Sequence, residues 1–454
     1  MGLCSLSQEG RMVLAIVFLV CGKTGLAADT WREFRGPGGQ GHSSAARPPV
    51  RWSETERVGW KVEVPGQGHS SPVIADGLVW ITTAVATPLT DEEKKARLAR
   101  IKNSSGLEIV GEISLRARAY EASSGRPVHD IELFDVKNPG PIHTLNSYAS
   151  PTPVLRDGHV YCHFGTYGTA CINTNSGSIV WRNESLHVDH QNGPGSSPII
   201  YGDLLIVHFD GIDQQFVTAL DRTDGRVAWS VKRSGKMNER PEFQKAYCTP
   251  IVVESSGKDL LVSPGADWVY AYEPGTGKEV WRAHYGKLGF STVPRPVAGN
   301  GMVYVCTSYM QSRLLAVKYD GKGDITESHV AWTSDSQIPQ KPSVLLVDQM
   351  LYLVSDGGVA TCLNALNGEQ VWRARMGGKY SASPLFAGGL LYFFSQDGKT
   401  TVVRPGDDYE VVAENQLDSG FMASPAMLGN DMILRTETHL YLIRGDVNSA
   451  VGGG

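Results

Sequence analysis

The chain has 454 residues, of which 51 are glycine and 41% are hydrophobic, a composition that favours short strands joined by tight turns. It argues against a protein built of long helices or of membrane spans. The formal net charge of −5 also argues against nonspecific binding to nucleic acid, whose phosphates attract basic surfaces.

The first 28 residues predict an export signal. Arg11 precedes an apolar run from Met12 to Val20, and small residues follow up to Ala28. Because so short a run does not span a bilayer, we interpret residues 1–28 as a cleaved signal peptide and the mature protein as periplasmic or secreted, without a transmembrane segment. Val20 is a poor residue to precede a lipidated cysteine, which argues against lipoprotein anchoring at Cys21.

Residues 29–58 predict an irregular N-terminal clasp, since the stretch from Trp31 to Gly41 is too rich in glycine for a regular element. An alternating strand from Gly59 to Val64 follows. Residues 84–113 interrupt the first repeat of the region described next. Within this insertion, Thr90 to Glu93 form a capping box that predicts a short surface helix.

One supersecondary unit recurs between residues 59 and 444. Its first signature is a glycine-containing turn and a short strand that ends in tryptophan, at Trp181, Trp229, Trp281, Trp332 and Trp372, roughly 40 to 53 residues apart. Its second is Ser or Thr before Pro, about thirty residues earlier, at Ser71-Pro72, Ser150-Pro151, Ser197-Pro198, Thr249-Pro250, Ser383-Pro384 and Ser424-Pro425. Each period holds about four short strands, which is the content of one propeller blade.

With looser copies at Pro296 and Pro342, the repeat openings number eight, and the last repeat ends before its outer strand. The strand around Trp60 is available to complete it. We therefore predict an all-β, eight-bladed β-propeller of four-stranded antiparallel blades, closed by pairing of the N-terminal strand into the last blade; seven blades is the alternative. The repeated tryptophans are expected to pack between blades, and the tail 445–454 to be disordered.

Five cysteines remain after removal of the signal, and an odd number argues against a full disulfide framework. A two-residue turn at Thr166-Tyr167 would place Cys162 opposite Cys171, close enough to bridge. Cys362 occupies the same blade position as Cys171 without a cysteine opposite it. The sequence favours small buried core residues and leaves the disulfide as the alternative.

The connections between blades reach the central channel on one face and end at the Ser/Thr-Pro motifs. They predict a funnel of aromatic and basic residues suited to an anionic or planar ligand: His69, Tyr148, His190, Tyr247, Lys341 and Tyr380. The alternative is that these side chains plug the channel. No catalytic motif is present, and His187, Asp189 and His190 are weak evidence for a metal, so neither catalytic residues nor a metal site is predicted.

The motif from Ala271 to Trp281 resembles the PQQ-like (pyrroloquinoline quinone) β-propeller repeat, and this resemblance covers nearly all of the mature chain. The segments 34–39, 245–250 and 419–425 resemble an exported subgroup abundant in planctomycetes and related bacteria. Two groups within this resemblance imply different functions. Quinoprotein alcohol dehydrogenases hold PQQ with calcium, use an Asp as base and often carry a disulfide between adjacent cysteines. The outer-membrane assembly propeller binds no quinone and acts as a scaffold.

We therefore predict an exported PQQ-like propeller that binds a protein, small molecule or saccharide of the cell envelope through its loop face. The alternative is a PQQ-dependent oxidoreductase of alcohols or sugars, with PQQ and calcium as cofactors. The chain is shorter than those enzymes and has no adjacent cysteine pair, which argues against that alternative. A polysaccharide-processing or other hydrolytic propeller is a third interpretation.

Overall fold

The computed structural model describes residues 30–286 and 289–445. The predicted signal peptide, and all of the predicted tail except Gly445, lie outside these residues. Within them, eight four-stranded antiparallel sheets form a ring, so the predicted β-propeller is confirmed and the seven-bladed alternative is wrong. In this part of the chain we find no helix with the length and apolar character that a membrane span requires.

The blades are numbered along the chain, and their strands are given from the channel outward. Blade 1 comprises Val73–Ala75, Leu78–Thr87, Glu112–Glu121 and Pro127–Lys137; blade 2, Val154–Arg156, His159–His163, Thr169–Asn173 and Ile179–Asn183; blade 3, Ile199–Tyr201, Leu204–Asp210, Gln215–Asp221 and Val227–Lys232; and blade 4, Ile251–Ser255, Lys258–Pro264, Trp268–Tyr272 and Glu279–His284. Blade 5 comprises Val297–Gly299, Met302–Cys306, Leu314–Lys318 and Val330–Ser334; blade 6, Leu345–Val347, Met350–Val354, Val359–Asn364 and Gln370–Arg375; blade 7, Leu385–Ala387, Leu390–Phe394, Lys399–Arg404 and Glu410–Gln416; and blade 8, Ala426–Leu428, Asp431–Arg435, His439–Ile443 and Val58–Glu63.

Several short strands, helices and turns lie outside the four-stranded blades. Leu107–Glu108 pairs with Ile142–His143, Gly289–Phe290 pairs with Tyr309–Met310, and Gly323–Asp324 adds in parallel to blade 4. The helices are Asp91–Leu98, which begins at the predicted capping box of Thr90 and Glu93, and Thr326–His329; 3-10 turns lie at Pro37–Gly39, Gly165–Tyr167 and Pro241–Phe243.

The N-terminal strand closes the ring, as predicted. Val58–Glu63 pairs antiparallel with His439–Ile443, with Trp60 opposite Leu442. The indole Nε1 of Trp60 donates to the carbonyl of Ala122 in blade 1 at 3.0 Å. One strand therefore joins the last blade to the first, and no blade presents a long unpaired edge at the closure.

The repeated tryptophans link neighbouring blades. Each Nε1 donates to a carbonyl of the following blade, from Trp181, Trp229, Trp281, Trp332 and Trp372 to Arg222, Pro274, Tyr319, Ala365 and Gly406 respectively. At four interfaces the indole covers the turn glycine of the following blade, where an added Cβ would lie within 2.7 Å of the ring: Gly125, Gly225, Gly277 and Gly368. The predicted packing role is confirmed, and the turn glycine leaves room for the tryptophan of the preceding blade.

Blades 1 and 7 lack the outer tryptophan. In blade 1, His129 takes the position, and its Nε2 forms a hydrogen bond with the carbonyl of Thr174 in blade 2. In blade 7 the equivalent residue is Ala413. Trp52 of the N-terminal segment packs there instead, stacked on Tyr392 with ring centroids 6.5 Å apart. The N-terminal segment thus supplies the aromatic group that blade 7 lacks.

Residues 31–43, which we call the plug, cross the channel and contact the inner strands of several blades. Trp31 pairs with Ile74 of blade 1, and the carbonyl of Arg32 accepts from the backbone N–H of Leu155 in blade 2. On the far side, His42 Nε2 forms a 2.7 Å hydrogen bond with the carbonyl of Leu346 in blade 6. The predicted irregular segment therefore closes one end of the channel.

The predicted register of the cysteine hairpin is wrong. Cys162 lies opposite Ala170, because three residues, Gly165–Tyr167, turn between Phe164 and Gly168 where two were expected. A one-residue offset turns the two side chains to opposite faces of the sheet. Cys162 packs between blades 1 and 2, Cys171 packs between blades 2 and 3, and both thiols are free.

Candidate functional site

A ring of hydroxyl groups surrounds the propeller axis where the blades begin. In most blades a Ser or Thr precedes the inner strand and is followed by proline, which has no backbone N–H to donate. The N–H of that Ser or Thr is therefore the last backbone donor before the inner strand, and because it is buried it needs an acceptor. In seven places a hydroxyl of the following blade accepts it at 2.9 to 3.0 Å. We call these hydroxyls the crown: Ser71, Thr152, Ser197, Thr249, Ser343, Ser383 and Ser424.

The crown corrects the predicted opening of blade 2. The hydroxyl that takes part is that of Thr152, which precedes Pro153, and it accepts from the N–H of Ser71 at 2.9 Å. The predicted motif, Ser150-Pro151, lies two residues too early. Both dipeptides satisfy the motif in sequence, and the register of the inner strand decides between them.

Blade 5 contributes no hydroxyl to the crown, because Arg295 occupies the position where the other blades carry Ser or Thr. The backbone N–H of Arg295 donates to Ser343 Oγ at 2.9 Å, but Arg295 offers no hydroxyl to the N–H of Thr249, so within the described residues the chain of hydrogen bonds is interrupted between blades 4 and 5. Its side chain is 2% exposed and turns to the plug, where it donates to the carbonyl of Phe34 and pairs with Glu33 at 2.7 Å. Arg295 therefore fixes the plug to the ring.

A cavity of about 690 Å³ opens on the loop face above the crown. Phe34 of the plug lines it together with six crown residues: Ser71, Thr152, Ser197, Thr249, Ser383 and Ser424. One wall is aromatic, with Phe243 stacked on Phe290 at 4.5 Å between centroids and Tyr309 edge-on to Phe290 at 5.7 Å. The cavity thus combines polar hydroxyls with an apolar wall.

Two lysines bring positive charge to the cavity. The ammonium group of Lys245 donates to Gln191 Oε1 at 2.5 Å and to the carbonyl of Glu242 at 2.8 Å, and burial lowers its pKa to about 8. Lys341 pairs with Asp356 at 2.6 Å. Near neutral pH Lys245 therefore carries a positive charge with no carboxylate in direct contact among the described residues, whereas the charge of Lys341 is balanced by Asp356.

Two histidines line the same cavity, and both are mainly neutral near neutral pH. Burial lowers the pKa of His69 to about 4, and the neighbouring Arg435 guanidinium contributes in the same direction. Burial, followed by the charges of Lys341 and Lys245, also lowers the pKa of His143. Each neutral imidazole offers one N–H donor and one acceptor nitrogen.

Of the six predicted funnel residues, three line the cavity and the other three do not. His69, Tyr247 and Lys341 line it. Tyr148 donates from its hydroxyl to the carbonyl of Gly140, His190 accepts from the N–H of Thr166, and Tyr380 packs in the core between blades 6 and 7. These three side chains support the blades from within.

Sequence reasoning missed several residues of the cavity: Lys245, Gln191, His143, Phe243, Phe290 and Tyr309. The sequence could have indicated Lys245, because it lies two residues before the predicted site residue Tyr247. Alternate residues of an extended chain point to the same side, so both side chains can reach the cavity. The aromatic wall had no such signal. It is assembled by the short pairing of Gly289–Phe290 with Tyr309–Met310, which no repeat motif predicts.

The carboxylates of the cavity do not fit the calcium and base chemistry of the quinoprotein resemblance. Asp356 accepts from Lys341 Nζ and from two backbone N–H groups, and Glu242 pairs with Arg240 at 2.7 Å. Glu242 lies in the connection between blades 3 and 4, whereas Asp356 lies in the turn between the second and third strands of blade 6. Among the described residues no group of three His, Cys, Asp or Glu side chains is arranged to hold a metal ion.

Comparisons with known proteins agree with this architecture. The family model described as outer membrane protein assembly factor BamB matches residues 104–263, 213–324 and 266–418. The outer membrane protein assembly factor BamB of Moranella endobia (strain PCIT) is 22% identical over 304 residues, which cover 66% of this chain and 72% of that protein.

Two further likenesses are to dehydrogenases. The quinohemoprotein alcohol dehydrogenase ADH-IIG of Pseudomonas putida is 25% identical over 173 residues, 35% of this chain and 22% of that protein. A solved structure of a europium-containing methanol dehydrogenase has a TM-score of 0.60 at 11% identity and covers 91% of this chain and 98% of that one. At so low an identity the structural likeness establishes a shared fold alone.

Proposed function

The chain belongs to the family of the outer membrane protein assembly factor BamB, and from that premise we propose that it is an exported binding module. Its loop face takes a ligand, or a segment of a partner protein of the cell envelope, in the cavity above the crown. The module acts as a scaffold and carries no catalytic chemistry of its own. Its predicted export from the cytoplasm belongs to the same proposal.

The observation that supports this proposal is the clustering of exposed apolar side chains at the mouth of the cavity. Of the ten large hydrophobic residues that are exposed in the described part of the chain, four line this cavity: Leu145, Val293, Tyr309 and Met310. Tyr309 and Met310 are each 52% exposed. Clustered exposed apolar side chains mark contact sites, whereas isolated ones are common on any protein surface.

A comparison of two exposed valines tests the proposal. Val293, at the cavity, is 36% exposed, and Val227, on the outer strand of blade 3, is 42% exposed. A charge at either position is tolerated by the fold, because both side chains already contact solvent. Immobilised wild-type protein and Val227→Asp should retain the same proteins from an envelope extract of the source organism, identified by mass spectrometry. Val293→Asp should lose them.

Retention of the same set by all three proteins, or by none, would contradict a binding role for this face. N-terminal sequencing of protein purified from the envelope fraction tests export, with the mature chain expected to begin near Asp29. Recovery of the intact N-terminus from the cytoplasm would contradict it.

The alternative is a PQQ-dependent oxidoreductase of alcohols or sugars, and the partial likeness to the Pseudomonas putida dehydrogenase supports it. One assay distinguishes the binding module from the oxidoreductase. Purified protein is mixed with PQQ and calcium and desalted, and the retained quinone absorbance and dye-linked oxidation of alcohols and sugars are measured. The binding proposal expects no turnover, and stoichiometric retention together with turnover would favour the oxidoreductase.

A further inference from the structure

We propose that the crown is an anion site that holds a carboxylate of the bound ligand at the propeller axis. This inference rests on the proposed function and specifies the chemistry of the ligand. The class it indicates is an apolar or aromatic carboxylic acid, with the carboxylate at the crown and the apolar body along the aromatic wall.

The first argument is the number of unused donors around the axis. A hydroxyl group has one hydrogen to donate and two lone pairs to accept with. Each of the six crown hydroxyls that line the cavity accepts a backbone N–H, and within the described residues none donates its own hydrogen to an acceptor: Ser71, Thr152, Ser197, Thr249, Ser383 and Ser424. Six donors on one ring without protein acceptors suit an anion.

The second argument is buried positive charge beside the crown. Arg435 is 2% exposed and donates to the carbonyl and hydroxyl oxygens of Ser70, next to the crown residue Ser71. Arg35 of the plug is 1% exposed and donates to the carbonyl of Val344, next to the crown residue Ser343. Neither guanidinium forms an ion pair within the described residues.

Burial lowers the pKa of both Arg35 and Arg435 to about 9, so both remain charged near neutral pH. Two further nitrogens of Arg35, Nε and Nη1, are buried without a hydrogen-bond partner in the described chain. Uncompensated charge in an interior of low dielectric creates a positive potential, and an anion on the axis lowers its energy.

The third argument is the shape of the remaining space. A cavity of about 690 Å³ falls in the range that takes a small organic molecule. The stacked pair Phe243 and Phe290 forms the wall, and Phe34 lines the cavity from the plug. A flat apolar group placed against Phe290 leaves its carboxylate free to face the crown.

The probe for the experiment is naphthoate, with the neutral naphthamide as its matched analogue, and binding to the full mature protein is measured by calorimetry. Naphthoate should bind at least tenfold more tightly than naphthamide. Thr249→Val, which keeps the side-chain shape and removes the hydroxyl, should weaken naphthoate about tenfold, or about 1.4 kcal/mol, and leave naphthamide unchanged. Thr249→Ser should restore the affinity.

Ser343→Ala is the control. Ser343 accepts the N–H of Arg295 as Thr249 accepts that of Ser197, both at 2.9 Å, but Ser343 does not line the cavity. Both substitutions leave one buried N–H without its acceptor and should lower the melting temperature alike. Only Thr249→Val should change the affinity for naphthoate.

Three results would overturn the anion site: equal affinity for naphthoate and naphthamide, no naphthoate binding at millimolar concentration, or an equal loss of affinity in Ser343→Ala and Thr249→Val. The proposed function fails separately. If Val293→Asp releases an envelope partner that Val227→Asp retains, the binding module stands whatever the outcome at Thr249.

Discussion

Closure of the ring predicts that Trp60→Ala destabilises the protein as much as the same change within the chain. Trp181 is the matched control, because both side chains are 8% exposed and both indoles donate to a carbonyl of the next blade, at 3.0 and 2.8 Å. Each also covers a turn glycine, Gly125 or Gly225. The two sites differ in the origin of the outer strand, which in blade 8 comes from the other end of the chain.

The expected magnitude follows from burial. Replacement of a buried tryptophan by alanine costs about 3–5 kcal/mol through lost contacts and the cavity left behind. Globular proteins unfold with about 2.1 cal/mol/K of entropy per residue, or roughly 0.8 kcal/mol/K for about 400 residues. Each substitution should therefore lower the melting temperature by roughly 4–6 °C.

Scanning calorimetry of the wild type, Trp60→Ala and Trp181→Ala at one protein concentration measures these shifts, and urea denaturation checks that the m-value is unchanged. We expect the two variants to melt within about 2 °C of each other. A melting temperature of Trp60→Ala within about 1 °C of the wild type, beside a full shift in Trp181→Ala, would refute closure by the N-terminal strand.

The remaining predictions concern the interfaces between blades, the thiols, the plug and the cavity. Trp281→Ala should lower the melting temperature by a similar amount without changing the affinity for naphthoate, and a selective loss of affinity would contradict a packing role. Alkylation of unfolded protein should label Cys162 and Cys171 equally with and without reductant, since they face opposite sides of their sheet; a reductant-dependent mass shift would show a disulfide. Arg295→Leu removes the ion pair that fixes the plug, so hydrogen exchange in residues 31–43 should accelerate, and unchanged exchange would argue against this role. Affinity for naphthoate should fall as the pH rises through about 8, because the ammonium form of Lys245 exists below its lowered pKa and is lost above it; Lys245→Met should flatten that dependence.

The sequence determined the repeat and the way the ring closes, and it favoured eight blades over the alternative of seven. These features follow from local chemistry that most units repeat: a turn with glycine at positive φ, alternating strands, and a tryptophan that packs against the next blade. The last repeat lacks its outer strand and an unassigned strand lies around Trp60, so the need for a fourth strand indicates the closure from sequence alone. The sequence also shows where the crown lacks a hydroxyl, since Arg295 precedes Pro296 where other blades have Ser or Thr.

Only the tertiary structure decided which loop side chains meet at the axis. Tyr148 and Tyr380 satisfy the same pattern as Tyr247, yet they turn into the blades, whereas Lys245 and the aromatic wall reach the cavity. The direction of a loop side chain depends on strand register and on the neighbouring blade. A single additional turn residue moved Cys162 away from Cys171, and a segment far away in sequence brought Phe34 to the cavity. Such contacts join residues up to hundreds of positions apart, and no repeat motif encodes them.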